Sequence, residues 1–317
     1  YREVVRLRNR LYDQGSLHSR RLAGPVISVG SISVGGAGKT PFVIYLGELL
    51  RQRGIACDVL SRGYGRKTRG ELVVRSQGSA RDFGDEPVLI AQSLGCPVVV
   101  GASRYRAGQR AEELFGPELH LLDDGYQHRG LARDFDIVLL TPEDLTDRLL
   151  PAGRLREPPA SLARADAVVL FGQIDSDRLP LAGQLVWRAQ RSLSVTEPPR
   201  RALVFCGIAR PQGFIQQLRE ASIDVLAHRF YPDHHPYSDQ DVRRLIEWQK
   251  QAGGEGFITT EKDVINLGQR LGELGRVAVA RVVITLANPA DVLDTIVRVL
   301  RERRPTHEKI LLSSHSQ

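Results

Sequence analysis

The chain has 317 residues and a mass of 35.2 kDa, with 42% hydrophobic and 26% charged residues, an ordinary composition for a folded protein of about two domains. These values exclude a disordered or collagen-like chain, and no run of about 18 apolar residues could span a membrane. The net charge of +7 favours phosphate-rich partners: a nucleotide, a nucleic acid or an anionic lipid. Three isolated cysteines without metal-ligand spacing are predicted to be core thiols in a reducing compartment: Cys57, Cys96 and Cys206.

Residues 1–13 have the pattern of a short basic amphipathic helix. It either packs on the core with a solvated basic face or lies on an anionic membrane surface. We assign 1–20 to this N-terminal helix and, because the chain starts at Tyr1 and contains no Met, expect it to be truncated. The apolar face and the opposite basic face are formed by Tyr1, Val4, Val5, Leu11 and Tyr12 and by Arg2, Arg6 and Arg10.

From Pro25 onward, short apolar runs alternate with helical patterns, which predicts a parallel sheet covered on both faces. A loop rich in Pro, Gly and Arg follows at 150–159, and a polar break at 197–201 suggests a boundary. We predict a P-loop domain over 21–198, a smaller α/β domain over 199–304 and a frayed tail over 305–317. The predicted strands are 26–29, 57–60, 97–100, 119–122, 137–140, 167–171, 202–206, 256–259 and 277–285. The predicted helices are 41–52, 86–94, 104–115, 214–220, 239–251 and 291–301.

The segment 29–40, VGSISVGGAGKT, is typical of a phosphate-binding loop between a buried strand and a helix. Glycines let backbone N–H groups turn towards phosphate oxygens, and the helix N-terminus adds partial positive charge. Lys39 would neutralise the β- and γ-phosphates, and Thr40 would offer its hydroxyl to Mg²⁺. The alternative is a glycine turn that contains GKT by chance. The predicted nucleotide-binding residues are Ser33, Val34, Gly35, Gly36, Ala37, Gly38, Lys39 and Thr40.

Two features of this loop are unusual. Ser33 stands where the common pattern has its first glycine, and Val34 stands where the ParA-like variant has a second lysine. The second difference argues against that subclass.

Asp123 and Asp124 end an apolar strand, which is where a Walker-B metal ligand lies when the strand neighbours the P-loop strand. One acid could hold a metal while the other orients a base or water. The alternative is an ordinary Asp-Gly turn. A GTPase is not favoured, because Tyr126 stands where its DxxG motif needs glycine and no NKxD motif is present.

Three other polar clusters are ambiguous by themselves. In GDEP (84–87), Asp85 is predicted to cap a helix. In YPDHH (231–235), Asp beside His is a candidate acid/base pair, although a solvated loop is an alternative. In SRGYGR (61–66), Arg62 and Tyr64 could lie over an anionic substrate, or the segment could be a simple basic turn.

Together these motifs resemble those of the tetraacyldisaccharide 4'-kinases of lipid A biosynthesis. Seven occur in family order over about residues 28–263, and this order is far more specific than any single motif. The family's loop also lacks the first glycine, so Ser33 agrees with it. Ser31 departs from it, because the family usually has Asn there, and this puts one loop hydrogen bond in question. The motifs are VGSISVGGAGKTP, SRGYGR, GDEP, DDGYQHR, LLPAGRLREP, YPDHHPY and TTEKD.

The resemblance implies that the γ-phosphate of ATP is transferred, with Mg²⁺, to the 4'-hydroxyl of an acylated glucosamine disaccharide 1-phosphate, which yields lipid IVA. It also implies peripheral attachment to the cytoplasmic face of the bacterial inner membrane through an N-terminal hydrophobic helix. The expected partners are that lipid and an anionic membrane surface. No nucleic-acid partner is expected, and no obligate protein partner is evident.

The resemblance also assigns roles to particular residues. Asp85 and His234 act together on the attacking hydroxyl, and Lys39 contacts the phosphates; these are the implied catalytic residues. Lys262 and Arg154 lie in family motifs, but their roles cannot be derived from the sequence. The implied metal residues are Thr40, Asp123, Asp124 and Glu86. The implied substrate-binding residues are Arg62, Tyr64, Arg104 and Gln127.

Two other function classes fit single features. A P-loop switch or metallochaperone would hydrolyse nucleotide without an acceptor sugar, but the sequence has neither a guanine-reading motif nor a Cys/His metal cluster. A nucleic-acid-binding ATPase fits the net charge, but no known nucleic-acid module accompanies it. The predicted fold is α/β, a P-loop NTPase-like parallel sheet flanked by helices, with a second, smaller α/β unit.

Overall fold

A computed structural model describes residues 1–305, so most of the predicted tail at 305–317 lies outside the described residues. The strands are β1 (Val26–Ser31), β2 (Cys57–Ser61), β3 (Leu72–Val73), β4 (Val98–Val100), β5 (Leu119–Asp123), β6 (Phe135–Leu140), β7 (Ala167–Phe171), β8 (Leu185–Val195), β9 (Ala202–Cys206), β10 (Val225–Phe230), β11 (Gly256–Thr260) and β12 (Val277–Leu286). The α-helices are α1 (Arg2–Asp13), α2 (Lys39–Gln52), α3 (Ala80–Phe83), α4 (Asp85–Leu94), α5 (Arg104–Phe115), α6 (Pro142–Thr146), α7 (Pro211–Glu220), α8 (Asp239–Ala252), α9 (Glu261–Leu267) and α10 (Pro289–Arg303).

Within residues 1–305 the strands form one 12-stranded sheet, in the order β10-β9-β11-β12-β8-β7-β6-β1-β5-β2-β4-β3. Neighbouring strands are parallel except for β8 with β12 and β3 with β4, which are antiparallel. The parallel strands β1, β5, β6 and β7 are buried along their whole length, because helices cover both faces of the sheet. The predicted α/β class with a mostly parallel sheet is confirmed.

The centre of the sheet brings the two strongest sequence motifs together. β1 pairs in parallel with β5 on one side and with β6 on the other. Val29 of β1 is opposite Asp123 of β5. The glycine-rich segment after β1 and the acidic residues at the end of β5 therefore meet at the same edge of the sheet. The helix α2 anchors this edge through a buried face formed by Phe42, Val43, Leu46 and Leu50.

The second half of the chain continues the same sheet. β8 connects the halves, since it is parallel to β7 and antiparallel to β12. The sequence analysis did not assign β8, because most of its residues alternate between half-buried and exposed positions and it has no continuous apolar run. Helix α10 returns to the first half, where Ile296 and Leu300 join the core that contains Phe42. The predicted domain boundary near residue 198 therefore stays a prediction, and the two predicted domains contribute strands to one sheet.

Helix α1 spans Arg2–Asp13, close to the pattern at 1–13 but shorter than the assigned segment of 1–20. It docks through Val5, which is buried, and through Asn9, whose Nδ2 donates to Glu157 Oε2 at 2.6 Å. Among the described residues, no helix is both long and apolar enough to cross a membrane. Two side chains of the predicted apolar face, Tyr1 and Val4, are exposed by 52% and 70%, and Leu7 outside that face is exposed by 59%, so the helix is only partly packed on the core.

Candidate active site

The glycine-rich loop connects β1 to α2 and depends on backbone conformations that favour glycine. Gly35, Gly36 and Gly38 have φ values of 63°, 75° and 81°. Gly38 immediately precedes α2, and within residues 1–305 no side chain caps the helix there. The N–H groups of the first helical turn are therefore available to phosphate oxygens, and the helix dipole favours the negative charge.

The start of the loop is packed tightly against the residues that follow β5. A Cβ atom at Gly30 would lie 2.5 Å from Tyr126 Cβ, so this position has no room for a side chain. Ser31, the departure from the related family, still makes a loop hydrogen bond, because its Oγ donates to the carbonyl oxygen of Ser33 at 2.8 Å. Ser33 itself is buried.

The outer side of the loop is held by two arginines. Arg154 Nη2 donates to the carbonyl oxygens of Val34 and Gly35 at 3.0 and 3.1 Å, and the Val34 N–H donates to the Arg154 carbonyl at 2.9 Å. Arg191 Nη1, from β8, donates to the Gly36 carbonyl at 3.1 Å. These contacts give the outward-facing carbonyl groups of the loop hydrogen-bond donors, so Arg154, whose role the sequence left open, supports the loop.

Lys39 lies at the base of the loop between Ser31 and Asp124. Its Nζ is 3.3 Å from Ser31 Oγ and 3.6 Å from Asp124 Oδ1. Arg156 donates two hydrogen bonds to the same carboxylate, at 2.9 and 2.7 Å. Burial opposes ionisation of Asp124, but the charges of Lys39 and Arg156 lower its pKa to about 2. The sequence analysis missed Arg156, although it lies in the LLPAGRLREP motif.

Asp123 is buried beside Asp124 and has a different environment. Its Oδ2 accepts a hydrogen bond from Ser61 Oγ at 2.9 Å, whereas its Oδ1 has no hydrogen-bond partner in the described part of the chain. Burial, followed by the charges of Glu86 and Asp124, raises the pKa of Asp123 to about 7. A buried carboxylate oxygen without a partner in the described residues, near two other acidic side chains, is suited to a cation.

The described residues also limit what kind of metal site is possible. Residues 1–305 contain no group of three or more His, Cys, Asp or Glu side chains placed to hold an ion by themselves. Mg²⁺ at a nucleotide needs few protein ligands, because phosphate oxygens and waters complete its coordination. The Thr40 hydroxyl at the start of α2 and the unpartnered oxygen of Asp123 fit that requirement.

Asp85 and His234 meet across 149 residues of sequence. His234 Nδ1 lies 2.7 Å from Asp85 Oδ2 and 3.0 Å from Oδ1. Burial alone would raise the pKa of Asp85, but the hydrogen bond from His234 and the charge of Lys262 hold it below its usual value. The hydrogen bond to Asp85 raises the pKa of His234. His234 also has a φ of 59°, an uncommon conformation for a residue with a side chain.

Glu86, the next residue in α4, forms an ion pair with Lys262 of α9. Burial would lower the pKa of Lys262, but the charges of Glu86 and Asp85 raise it, so the ammonium stays charged. The structure therefore places Lys262, whose role the sequence left open, between two acidic residues. The implied metal-binding role of Glu86 remains a prediction, since its carboxylate is already paired here.

The buried arginine Arg104 adjoins the acidic residues. Arg104 is buried at the start of α5 and donates through Nη1 to the carbonyls of residues 101 and 102, both at 3.3 Å. Its Nε has no partner among residues 1–305. Burial lowers the pKa of Arg104 to about 10, although the charge of Asp123 opposes this shift. Burial and the positive charge of Arg104 together lower the pKa of His128 to about 4. The buried guanidinium of Arg104, whose Nε is unpartnered within residues 1–305, favours an anionic ligand.

The other implied substrate residues lie in two places, on the exposed surface of the candidate site and beneath the glycine-rich loop. Tyr64 is 66% exposed, and its ring centroid lies 5.4 Å from that of His234; Arg62 is also exposed. Gln127 instead donates through Nε2 to the Ser31 carbonyl at 3.0 Å and to Glu157 Oε1 at 3.1 Å. Tyr64 and Arg62 are thus free to meet a substrate, whereas Gln127 supports the floor of the loop. Their substrate roles remain predictions.

Comparison with known proteins identifies the family of this chain. The family model described as tetraacyldisaccharide-1-P 4'-kinase (LpxK) matches residues 1–301. The chain belongs to this family. A tetraacyldisaccharide 4'-kinase from Koribacter versatilis is 44% identical over 310 residues, which cover 95% of this chain and 96% of the relative. One from Aquifex aeolicus is 40% identical over 284 residues, covering 84% and 87% respectively.

A solved structure supports the same assignment. The crystal structure of LpxK from Aquifex aeolicus in complex with ATP has 37% sequence identity and a TM-score of 0.76, and the match covers 95% of this chain and 96% of that chain. The family that the seven motifs resembled is therefore confirmed, together with its kinase fold.

Proposed function

We propose that this protein is a tetraacyldisaccharide 4'-kinase of lipid A biosynthesis, which transfers the γ-phosphate of ATP to the 4'-hydroxyl of tetraacyldisaccharide 1-phosphate. Membership of the family supports the overall activity. The observation that carries the residue-level proposal is the Asp85–His234 pair, which adjoins the acidic residues beside the phosphate-binding loop. A phosphate donor site and an acid/base pair for an alcohol acceptor are the two parts that such a kinase needs.

In the proposed reaction, Asp85 accepts the Nδ1–H of His234, which leaves Nε2 as the basic atom. The acceptor oxygen attacks the γ-phosphorus, and its proton moves to His234 Nε2. The bond from the γ-phosphorus to the bridging oxygen breaks, and ADP leaves with that electron pair. Lys39 and the backbone N–H groups of the loop offset the negative charge on the transferred group.

Thr40 and Asp123 are the residues best placed to hold Mg²⁺, with Asp124 and Glu86 as further acidic groups nearby. When bound, Mg²⁺ neutralises charge on the β- and γ-phosphates and orients them. Asp124 has a second proposed task in this chain, since its carboxylate positions Lys39 and Arg156.

The acceptor is proposed to enter across the exposed side of the Asp85–His234 pair. Tyr64 and Arg62 would meet the sugar head group, and Arg104 would supply positive charge to its phosphate. The exposed apolar side chains of α1 would contact the cytoplasmic face of an anionic inner membrane, with the protein attached peripherally. The net charge of +7 supports that attachment.

The test is transfer of label from γ-labelled ATP to detergent-dispersed tetraacyldisaccharide 1-phosphate. We expect labelled bisphosphorylated lipid with Mg²⁺, and none with EDTA or without lipid. Hydrolysis of ATP that is independent of the lipid would instead favour a nucleotide switch. His228→Ala is a matched control for His234→Ala. His228 lies on the edge strand β10, where its ring stacks on Phe230 and not on a residue of the candidate site.

The residue assignment has its own test in a double-mutant cycle. If Asp85 and His234 act as one unit, Asp85→Ala and His234→Ala each reduce kcat strongly, and the double variant is little worse than either. Binding of ATP should change little in all three variants. Additive losses, or loss of ATP binding with Asp85→Ala, would contradict the assigned role.

A further inference from the structure

Asp85 has a third hydrogen-bond partner that none of the seven motifs contains. Asn266 of α9 donates through Nδ2 to Asp85 Oδ2 at 3.0 Å, the same oxygen that faces His234. The other oxygen, Oδ1, accepts the backbone N–H of Glu86 at 2.8 Å. Both carboxylate oxygens therefore have hydrogen-bond partners. Two of these partners, His234 and Asn266, come from the second half of the chain.

The position of Asn266 is fixed by the way α9 is anchored. Asp263, one turn earlier, is buried and accepts hydrogen bonds at 2.8 Å from both the Gly207 N–H and the Tyr237 hydroxyl. The carbonyl of Gly207 in turn accepts the backbone N–H of His234 at 3.1 Å. The segments that carry Asn266 and His234 are thus both hydrogen-bonded to Gly207, just after the end of β9, and both side chains reach Asp85 from there.

We propose that Asn266 is a positioning residue for phosphate transfer: its side-chain amide fixes the rotation of the Asp85 carboxylate, so that Asp85 holds His234 with Nε2 directed at the acceptor hydroxyl. The inference rests on the proposed function of the Asp85–His234 pair. Asn266 itself does not need to touch a substrate.

Asn266 matters in this proposal because proton transfer requires a narrow range of distance and angle between the base and the hydroxyl. Rotation about the last side-chain bond of an aspartate is broad. Without Asn266, Oδ1 would keep the backbone N–H of Glu86, but Oδ2 would be held by His234 alone, so the carboxylate could turn about the Glu86 contact and carry the imidazole with it. Loss of the Asn266 donor allows Asp85 and the imidazole to rotate together. Since general-base catalysis requires the base within hydrogen-bond reach of the proton, we expect kcat to fall about tenfold. Groups that bind ATP and lipid are unchanged, so both KM values should stay within about twofold.

The experiment measures kcat and both KM values for Asn266→Ala and Asn266→Ser, with Gln269→Ala as an exposed control in the following turn. The smaller Ser keeps a donor, and an intermediate kcat is expected. In the Asp85→Ala background, Asn266→Ala should cause little further loss, because the group it positions is gone. Circular dichroism and thermal unfolding check that each variant is folded; if Ala does not fold, Ser carries the comparison.

The outcomes separate this inference from the proposed function. If the wild-type chain labels no lipid, the proposed function fails. If the wild-type chain is active and the folded Asn266 variants keep full kcat, only the positioning role is overturned. A rise in KM without a change in kcat, or an equal loss with and without Asp85, would also overturn it.

Discussion

Raising the pH from about 7 to about 9.5 should destabilise the fold through one buried histidine, His120. It lies at the start of β5, at the end of the sheet opposite the candidate site. Its Nδ1 is 2.9 Å from Asp58 Oδ1 on β2, and its Nε2 is 3.2 Å from Glu112 Oε1 on α5. The side chains of His120 and Asp58 are fully buried. A charged imidazole here connects two strands and a helix.

The magnitude follows from the pKa of His120. Burial lowers it, but hydrogen bonds and charges from Asp58 and Glu112 outweigh burial and raise it from 6.5 to about 9. Because the folded-state value is the higher one, the stabilisation is complete below about 6.5 and is lost as pH rises through about 9. At about 1.4 kcal/mol per pKa unit, the total is about 3 kcal/mol, most of which should disappear over this interval.

The assay is urea unfolding of the wild type and of His120→Gln at both pH values. Tryptophan fluorescence reports the transition, since Trp187 stacks on Phe135 of the central sheet at 6.0 Å. The difference in free energy of unfolding between the two proteins should shrink by about 2 to 3 kcal/mol from the lower to the higher pH. Titrating groups that do not contact His120, such as the buried Cys206 thiol, are common to both proteins and cancel. A difference that does not change with pH would refute the charged state assigned to His120.

Four further outcomes are expected. Lys39→Ala should remove most of the kinase activity, measured as labelled lipid, because it deletes a phosphate contact; unchanged turnover would contradict the loop assignment. Arg154→Ala should raise the KM for ATP about tenfold, since two hydrogen bonds that hold the loop are lost; an unchanged KM would show that the loop holds its shape without them. Gly30→Ala should lower stability by about 1 to 3 kcal/mol in urea unfolding, because its Cβ would overlap Tyr126; wild-type stability would mean that the tight contact relaxes. The kcat should rise with pH through a value above 6.5, because the base form of His234 is required and Asp85 raises its pKa; a flat profile in the wild type would argue against His234 as the base.

Much of the fold was predictable because its signals are local. The buried strands of the first half are short apolar runs, and the helices between them have regular apolar spacing, so most element positions agree with the structure within a few residues. β8 was missed, since its half-buried antiparallel pairing produces alternation with polar residues instead of such a run. A strand of this kind is recognisable only when its partner, β12, is known.

Local sequence also predicts the phosphate-binding loop and the acidic pair at a strand end, because glycine conformation and strand polarity act over a few neighbouring residues. It linked Asp85 with His234 only through resemblance to a family. Contacts between distant residues are visible only in the folded chain: Asn266 reaches Asp85 across 181 positions, and Arg154 reaches Val34 across 120. These contacts cannot be predicted from local sequence, because they depend on the order of strands in the sheet, and no local pattern of side chains encodes that order.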